Sequence, residues 1–187
     1  MKAIAIVGSP RKNGNTEILV RHTLKAIAEE GIETEFVSLR DLEIKPCIAC
    51  ETCSKEERCP LKDDLFPLYK KMKAADAIIL ASPVYFGSAT SQMKALMDRA
   101  GYIGYWQRAF EGKVGGAIVV ARRAGQNFTF AQLNYWFEIH GCIVPGSTYW
   151  NMAIARKPGD VNTDDEGMTT VWNFGKNVAR LLKKLKA

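Results

Sequence analysis

Short apolar segments recur along the chain, and five of them have the length and residue types of β-strands. They are Lys2–Val7, Glu33–Leu39, Asp76–Ala81, Lys113–Ala121 and Cys142–Thr148. Most are nearly continuous apolar runs, which is typical of strands covered on both faces. Glu33–Leu39 instead alternates between polar and apolar residues, so it is predicted to lie at the edge of a sheet.

Between these strands, apolar residues recur at helical spacing. The predicted helices are Thr16–Glu30, Asp64–Ala74, Thr90–Ala100, Phe128–His140 and Glu166–Lys186. Gly31 and Gly141 follow the first and fourth helices and are expected to end them. Asp63 or Asp64 is expected to cap the second helix, and Pro67 falls in its first turn, where no hydrogen-bond donor is lost.

Strands that alternate with helices predict a parallel sheet with helices on both faces. Right-handed crossovers and a tight polar loop after the first strand favour a flavodoxin-like three-layer α/β sandwich, with the strand order 2-1-3-4-5. The 187 residues are expected to form one domain, 1–187. Residues 44–61 exceed an ordinary connection and are interpreted as a cysteine-rich insertion. Ligands of such sheets bind at the carboxyl ends of the strands, which directs attention to the loops after strands one, three and four.

Composition and charge argue against nucleic-acid binding and against a membrane protein. The formal net charge is +6, but Lys and Arg are spread along the chain, so nucleic acid is not an expected partner. A C-terminal cluster from Arg180 to Lys186 is interpreted as a solvated helix face, with a docking patch for an acidic protein as the alternative. No apolar run approaches the ~20 residues of a membrane span. The first residues lack the apolar region and cleavage site of a signal peptide, so a cytoplasmic protein without a membrane partner is expected.

The loop after the first strand has the residues of a phosphate site. It opens a helix, whose free N–H groups and positive end favour an anion. The side chains that add donors or charge are Ser9, Arg11, Asn15 and Thr16. The loop matches neither a Walker sequence nor a dinucleotide fingerprint, so a monophosphate is the predicted ligand. A polar turn that merely caps the helix is the alternative.

The loop after the third strand places two aromatic residues, Tyr85 and Phe86, side by side at a strand end. They could stack on a planar ring or border it. Pro83 fixes the exit of the chain, and Gly87 permits backbone N–H groups to approach ring heteroatoms. Burial of the two aromatics in the core or in an interface is the alternative.

Four cysteines form the pattern C-x2-C-x2-C-x5-C-P: Cys47, Cys50, Cys53 and Cys59. Clustered cysteines in a cytosolic protein are not usually disulfides. The spacing is close to the ferredoxin sequence C-x2-C-x2-C-x3-C-P, which holds an iron–sulfur cluster. Zinc sites usually separate two cysteine pairs by more than ten residues, so zinc is less well matched. Reduced thiols or a redox pair is the remaining alternative.

The sequences SPRKNGNT and SPVYFGSATSQMKALMDR resemble the flavin-binding signature of the NADPH-dependent FMN reductase family, within the flavodoxin-like superfamily. The resemblance implies that Ser9, Arg11, Asn13, Asn15 and Thr16 hold the FMN phosphate. It also implies that the isoalloxazine ring is bordered by Pro83, Val84, Tyr85, Phe86 and Gly87, and on its other edge by the loop that contains Arg122 and Gly125.

The cysteine pattern on this fold resembles the iron-sulfur flavoproteins, a branch of the same superfamily. That resemblance implies a [4Fe–4S] cluster on Cys47, Cys50, Cys53 and Cys59. It further implies a homodimer or homotetramer, in which the cluster of one subunit approaches the flavin of another. The aromatic segment Gly101–Trp106 is interpreted as an interface loop, with core packing or a flavin lid as alternatives.

Other candidates are interpreted as structural. Cys142 is expected to be a small core residue, and neither His22 nor His140 has a ligand at suitable spacing. The leading hypothesis is FMN-dependent electron transfer between a ferredoxin-like one-electron carrier and a two-electron acceptor, with no catalytic residue. The alternatives are an NAD(P)H-dependent FMN or quinone reductase without a cluster, and a non-catalytic flavodoxin-fold module stabilised by zinc.

Overall fold

The computed structural model describes all residues, 1–187. The strands are β1 (Lys2–Val7), β2 (Glu33–Ser38), β3 (Ala77–Pro83), β4 (Val114–Ala121) and β5 (Met152–Ile154). The helices are α1 (Asn15–Ala28), α2 (Thr52–Lys55), α3 (Leu65–Ala74), α4 (Ser91–Gln107), α5 (Gln126–Ile139) and α6 (Asp165–Lys186). Short 3₁₀ turns occupy Leu39–Asp41 and Asp160–Thr163. None of the helices combines the length and apolar character that a membrane crossing requires.

All strand pairs are parallel, and their order is β2-β1-β3-β4-β5. This confirms the predicted flavodoxin-like order 2-1-3-4-5. β1 lies between β2 and β3, so its residues pair on both sides. Ile4, for example, is opposite Glu35 of β2 and Ile78 of β3.

The sheet has two buried faces because successive side chains of a strand point to opposite sides. Ala3, Ala5 and Val7 of β1 pack in the core cluster that includes α1 and α6. Ile4 and Ile6 pack in the second cluster, with α3, α4 and α5. The continuous apolar sequence of β1 is thus explained by burial on both sides.

The predicted bounds of the fifth strand, Cys142–Thr148, are wrong. Ile143 forms a single bridge to Val114, and the chain then leaves the sheet and returns at Met152, opposite Val119. Pro145 lies in this excursion; it has no N–H to donate to a ladder, which explains the interruption. The strand order survives because both contacts are made to the same neighbour, β4.

The helix predicted over Thr90–Ala100 is longer than expected, and the segment Gly101–Trp106 is not a loop. It forms the last turns of α4, which ends at Arg108 in a left-handed conformation with φ 48°. Gly101 and Gly104 remain helical because aromatic rings of Trp136 and Phe110 occupy the space that a Cβ would take. Tertiary packing therefore outweighs the low helix propensity of glycine.

Of the two residues predicted to cap α3, Asp63 makes the hydrogen bond at the start of the helix and Asp64 does not. The side chain of Asp64 makes no capping hydrogen bond at the helix N-terminus. Asp63 instead accepts a hydrogen bond from the Leu65 N–H at 3.2 Å. Asp64 accepts from the Glu43 N–H at 2.8 Å and so joins the two ends of the cysteine-rich insertion.

Two adjacent glycines in β4 admit aromatic rings from opposite faces of the sheet. A Cβ on Gly115 would overlap Phe137, and a Cβ on Gly116 would overlap Phe174. We expect Gly116→Ala to lower the free energy of unfolding by ~1–3 kcal/mol through overpacking. Gly146→Ala is the control, because its added Cβ has no neighbour within 4 Å.

Chemical denaturation of both variants measures this difference, and the double variant with Phe174→Leu is expected to recover part of the loss. Equal stabilities of Gly116→Ala and Gly146→Ala would show that the Phe174 ring is not confined as described.

Candidate functional site

Hydrogen bonds hold the ends of three strands together at the carboxyl edge of the sheet. The Gly8 N–H donates to the Ala81 carbonyl oxygen at 2.8 Å, and the Val84 N–H donates to the Val120 carbonyl oxygen at 2.8 Å. The Thr90 hydroxyl donates to the Gly8 carbonyl oxygen at 2.7 Å. The loops after β1, β3 and β4 therefore meet at one edge, and the predicted flavin-binding residues lie in these loops or in the elements that adjoin them.

The loop after β1 presents backbone donors at the start of α1. The first helical hydrogen bond runs from the Ile18 N–H to the Gly14 carbonyl oxygen at 3.0 Å. The N–H groups of residues 15–17 precede that bond and have no intrahelical acceptor. Ser9 and Thr16 are buried beside them, and the Ser9 hydroxyl accepts from the Arg11 N–H at 3.2 Å. This arrangement suits an anion at the helix terminus.

The Asn15 side chain does not face that anion position. Its Nδ2 donates to the Lys157 carbonyl oxygen at 2.8 Å, and its Oδ1 accepts from the N–H groups of Gly159 and Val161 at 2.9 and 3.3 Å. Arg11 also reaches this segment, with Nη1 at 3.4 Å from the Arg156 carbonyl oxygen. The backbone N–H of Asn15 stays available at the helix terminus, while its amide positions the loop after β5.

A buried carboxylate supports the same loop, and sequence reasoning did not identify it. Glu17 Oε2 accepts from the Asn13 N–H at 3.0 Å and so holds Asn13 in its left-handed conformation, φ 53°. Arg21 Nη2 lies 2.8 Å from Glu17 Oε1, and Arg40 Nη1 lies 3.8 Å from Oε2. These two guanidinium groups compensate the negative charge of Glu17 close to the anion position.

The loop after β3 forms a tight turn. Tyr85 and Ser88 exchange backbone hydrogen bonds of 2.9 and 3.1 Å, and both central residues have positive φ, 50° for Phe86 and 76° for Gly87. The Phe86 ring is fully exposed and Tyr85 is 44% exposed. The two rings are therefore not part of the core; burial in an interface, the other alternative to a role at the site, stays open.

The loop after β4 packs directly against this turn. Gly125 has φ 88°, and a Cβ there would lie 2.9 Å from Val84 Cγ1 and 3.2 Å from Gly87 Cα. Gln132 of α5 accepts from the Ser88 hydroxyl at 3.0 Å and from the Ala89 N–H at 2.9 Å. Arg122 is exposed at the same edge. The predicted ring-binding residues of the two loops thus form one continuous surface.

The four cysteines of the insertion line a single small cavity between the insertion and α4. Cys47 and Cys50 are exposed, whereas Cys53 and Cys59 are partly buried. Ala49 and Glu51 have positive φ, 52° and 59°, so the chain turns sharply around Cys50. The other side of the cavity includes Arg99, Tyr102 and Ile103 of α4.

No three Cys, His, Asp or Glu side chains converge as the ligands of one metal ion would. Thiolates that share a single zinc ion each lie about 2.3 Å from it and are drawn close together. A cluster of several irons distributes its four thiolates around a larger body. The spacing of the four cysteines along the chain, and not a preformed ligand geometry, is therefore what favours a cluster over one zinc ion.

The thiols differ in electrostatic environment. A hydrogen bond with the Thr52 hydroxyl, at 3.5 Å, lowers the pKa of Cys50, whereas burial raises the pKa of Cys53. Cys142 lies apart from the cavity; burial raises its pKa to about 11, and its Sγ contacts the Phe110 carbonyl oxygen at 3.3 Å.

Neither histidine lines the cysteine cavity. His140 is buried, with Nε2 at 2.9 Å from the Gly101 carbonyl oxygen. The His22 ring packs on Trp172 with 4.8 Å between ring centroids. These contacts agree with structural roles for both.

We expect Asn15→Ala to destabilise the protein by about 1–3 kcal/mol, because the Lys157 carbonyl and the Val161 N–H lose their partners. Lys12→Ala is the control, because Lys12 is an exposed residue of the same loop. Thermal unfolding of the two variants tests this expectation. A melting temperature of Asn15→Ala equal to that of Lys12→Ala would contradict the role of the Asn15 amide.

Comparison with known proteins agrees with this geometry. The sequence profile of the NADPH-dependent FMN reductase family matches residues 1–157. An iron-sulfur flavoprotein of Methanocaldococcus jannaschii is 49% identical over 195 residues, covering 100% of both chains. An iron-sulfur flavoprotein of Methanosarcina thermophila is 37% identical over 188 residues, covering 100% of this chain and 97% of the relative.

Among solved structures, RosB with bound 8-demethyl-8-formylriboflavin-5'-phosphate superposes with a TM-score of 0.80 at 20% identity. The superposition covers 100% of this chain and 80% of RosB, and it supports the fold alone. Fold, loop positions and full-length sequence similarity lead to one assignment: the chain belongs to the NADPH-dependent FMN reductase family, in its iron-sulfur flavoprotein branch.

Proposed function

We propose that this protein binds FMN and a [4Fe–4S] cluster and transfers electrons between a ferredoxin-like one-electron carrier and a two-electron acceptor. The observation that carries the proposal is the single cavity lined by Cys47, Cys50, Cys53 and Cys59. A reductase that used only flavin would have no need of four thiols gathered in one place.

The residues at the carboxyl edge fit FMN. The N–H groups at the start of α1 and the buried Thr16 side chain supply donors for a monophosphate. The adjoining surface consists of the Val84 side chain packed against the backbone of Gly87 and Gly125, and a flat ring can lie against it. RosB, which shares this fold, was solved with a bound riboflavin phosphate derivative.

The cysteine cavity fits an iron–sulfur cluster. It provides four thiols and no other metal-ligating side chain except Glu51, while its remaining walls are mostly apolar. Apolar surroundings and hydrogen bonds to sulfur are the means by which proteins adjust such clusters. The relatives from M. jannaschii and M. thermophila are both iron-sulfur flavoproteins by name, which supports the same ligand.

In this mechanism the protein binds and orients its cofactors, and no side chain needs to act as an acid or base. When bound, the flavin accepts one or two electrons and the cluster accepts one, which allows conversion between the two kinds of partner. The helix terminus of α1 fixes the phosphate. The turn at Tyr85–Ser88, supported by Gln132, fixes the position of the ring.

The two sites of one chain lie at different heights along α4. Thr90 caps α4 beside the flavin edge, and Arg99 contacts Cys59. Nine residues of helix correspond to about 13 Å of rise.

Tyr102, Tyr105 and Trp106 are 39%, 49% and 48% exposed on the same helix. We propose that a second copy covers these rings in a homodimer or homotetramer and brings its flavin near the cluster.

The basic C-terminal cluster lies far from this route. Lys186 Nζ is 3.1 Å from Asp76 Oδ1, and Asp76 immediately precedes β3, at the amino end of the sheet. Lys183 is paired with Glu30 at 2.7 Å. The position favours the solvated face over a docking patch for an electron carrier.

An NAD(P)H-dependent FMN or quinone reductase is the second candidate. The family to which the chain belongs is named for its dependence on NADPH. The proposed flavin edge is open to a nicotinamide beside the exposed Phe86 ring. In that case hydride would reach the flavin directly and the thiols would have no role in the transfer.

Anaerobic purification followed by absorption spectroscopy and iron and sulfide analysis separates the two candidates. We expect flavin absorption together with about four iron and four sulfide per chain. Cys50→Ser is expected to lose the iron and keep the flavin, whereas Cys142→Ala, which lies outside the cavity, keeps both. Wild-type protein with flavin and no iron would favour the reductase.

FMN binding is tested by flavin fluorescence quenching in cofactor-free protein. We expect Thr16→Val to weaken FMN binding by about 10- to 100-fold, because a hydrogen bond to a charged group contributes about 1.5–3 kcal/mol. Riboflavin, which lacks the phosphate, is the control ligand and should bind both proteins equally. Equal FMN affinities would exclude the Thr16 hydroxyl from phosphate binding.

A further inference from the structure

A buried ion pair lies behind the cysteine cavity. Arg99 of α4 and Asp63 form a two-point contact, with Nη2 at 3.1 Å from Oδ1 and Nη1 bonded to Oδ2. The exposed fractions of the two side chains are 1% and 0%. Burial alone would raise the pKa of Asp63, but Arg99 and the N–H groups of Lys45 and Leu65 outweigh it and lower that pKa, so the carboxylate stays ionised.

The pair is attached to both ends of the cysteine segment. Arg99 Nη1 donates to the Lys45 carbonyl oxygen at 2.9 Å, and Asp63 Oδ2 accepts from the Lys45 N–H at 2.9 Å. Arg99 Nη2 also donates to Cys59 Sγ at 3.1 Å. Among the four candidate ligands, Cys59 thus has a cationic donor on its sulfur, supplied from the rigid α4 helix.

The cost of burying two charges makes a purely packing role a poor explanation. A buried ion pair is often no more stabilising than apolar residues of similar volume. The Arg99 Nε is buried and has no hydrogen-bond partner. The site therefore does not satisfy every donor of the guanidinium. The one group it reaches outside the ion pair and the Lys45 backbone is the sulfur of Cys59.

We propose that Arg99 is a positioning residue that raises the reduction potential of the cluster through its hydrogen bond to Cys59, and that Asp63 moderates this effect. The inference rests on the proposed cluster. Reduction adds an electron to the cluster and increases the negative charge on its thiolate ligands. A cationic donor at one sulfur stabilises the reduced form more than the oxidised form.

Four variants separate hydrogen bonding, charge and folding. Arg99→Met removes the donor and the charge, Arg99→Lys keeps the charge without the planar fork, and Asp63→Asn removes the compensating carboxylate. The double variant Arg99→Met with Asp63→Asn leaves no unpaired buried charge and so protects against simple misfolding. Lys94→Gln removes a cation from the same helix that pairs only with Asp98, at the surface.

Redox titration followed by electron paramagnetic resonance measures the cluster midpoint, with the flavin midpoint of the same sample as an internal reference. We expect a lower cluster midpoint in Arg99→Met, a smaller decrease in the double variant and a higher midpoint in Asp63→Asn. Arg99→Lys should lie between Arg99→Met and the wild type. Lys94→Gln should leave the cluster midpoint unchanged, and the flavin midpoint should stay constant throughout.

Iron content is measured first. An iron-free wild type would overturn the proposed function and this inference with it. Iron-loaded Arg99→Met with an unchanged midpoint, or a shift of Asp63→Asn in the same direction as Arg99→Met, would overturn only the inference. Loss of iron from all Arg99 variants, including the double variant, would mean that the ion pair only holds the cysteine segment in place. That result would also overturn the inference.

Discussion

The hydrogen bond from the Thr90 hydroxyl to the Gly8 carbonyl oxygen, 2.7 Å long, joins the parts of the molecule on which the site depends. Thr90 also accepts from the Met93 N–H to begin α4, and its own N–H donates to the Ser82 hydroxyl. A Cβ on Gly8 would lie 2.8 Å from Met93 Cβ, so β1 must pass α4 as bare backbone. The relative position of the two flavin loops follows from this junction.

The same helix then serves a second site. Its N-terminal end is fixed by Thr90 at the carboxyl edge of the sheet, and its middle turn carries Arg99 to the cysteine cavity. The cysteine segment has little regular structure of its own. It is held at its base by two side-chain carboxylates: Asp64 accepts from the Glu43 N–H, and Asp63 accepts from the Lys45 N–H. Helix α4 therefore sets the geometry of both sites, although they are separated along the sequence.

The sequence predicted the sheet order and the location of the loops, because continuous apolar strands and polar strand ends are local signals. It did not predict contacts between distant residues. The Asn15 amide was assigned to a phosphate but binds the segment 157–161, and Arg99 was not singled out. The predicted bounds of the fifth strand were wrong for another reason. Cys142–Thr148 has the apolar pattern of a strand, but Pro145 prevents this segment from continuing in the ladder.

Pairing beside β4 is interrupted between Ile143 and Met152, so the residues in this loop form surface and are not part of the sheet. Ile143 and Met152 each pair with β4, and between them the Asn151 amide donates to the Ala117 carbonyl oxygen at 3.1 Å, as a strand N–H would. The residues in between, including the exposed Tyr149 and Trp150, contribute little to the ladder. Substitution of the exposed Tyr149 or Trp150 therefore changes the surface beside β4 without removing a hydrogen bond of the ladder.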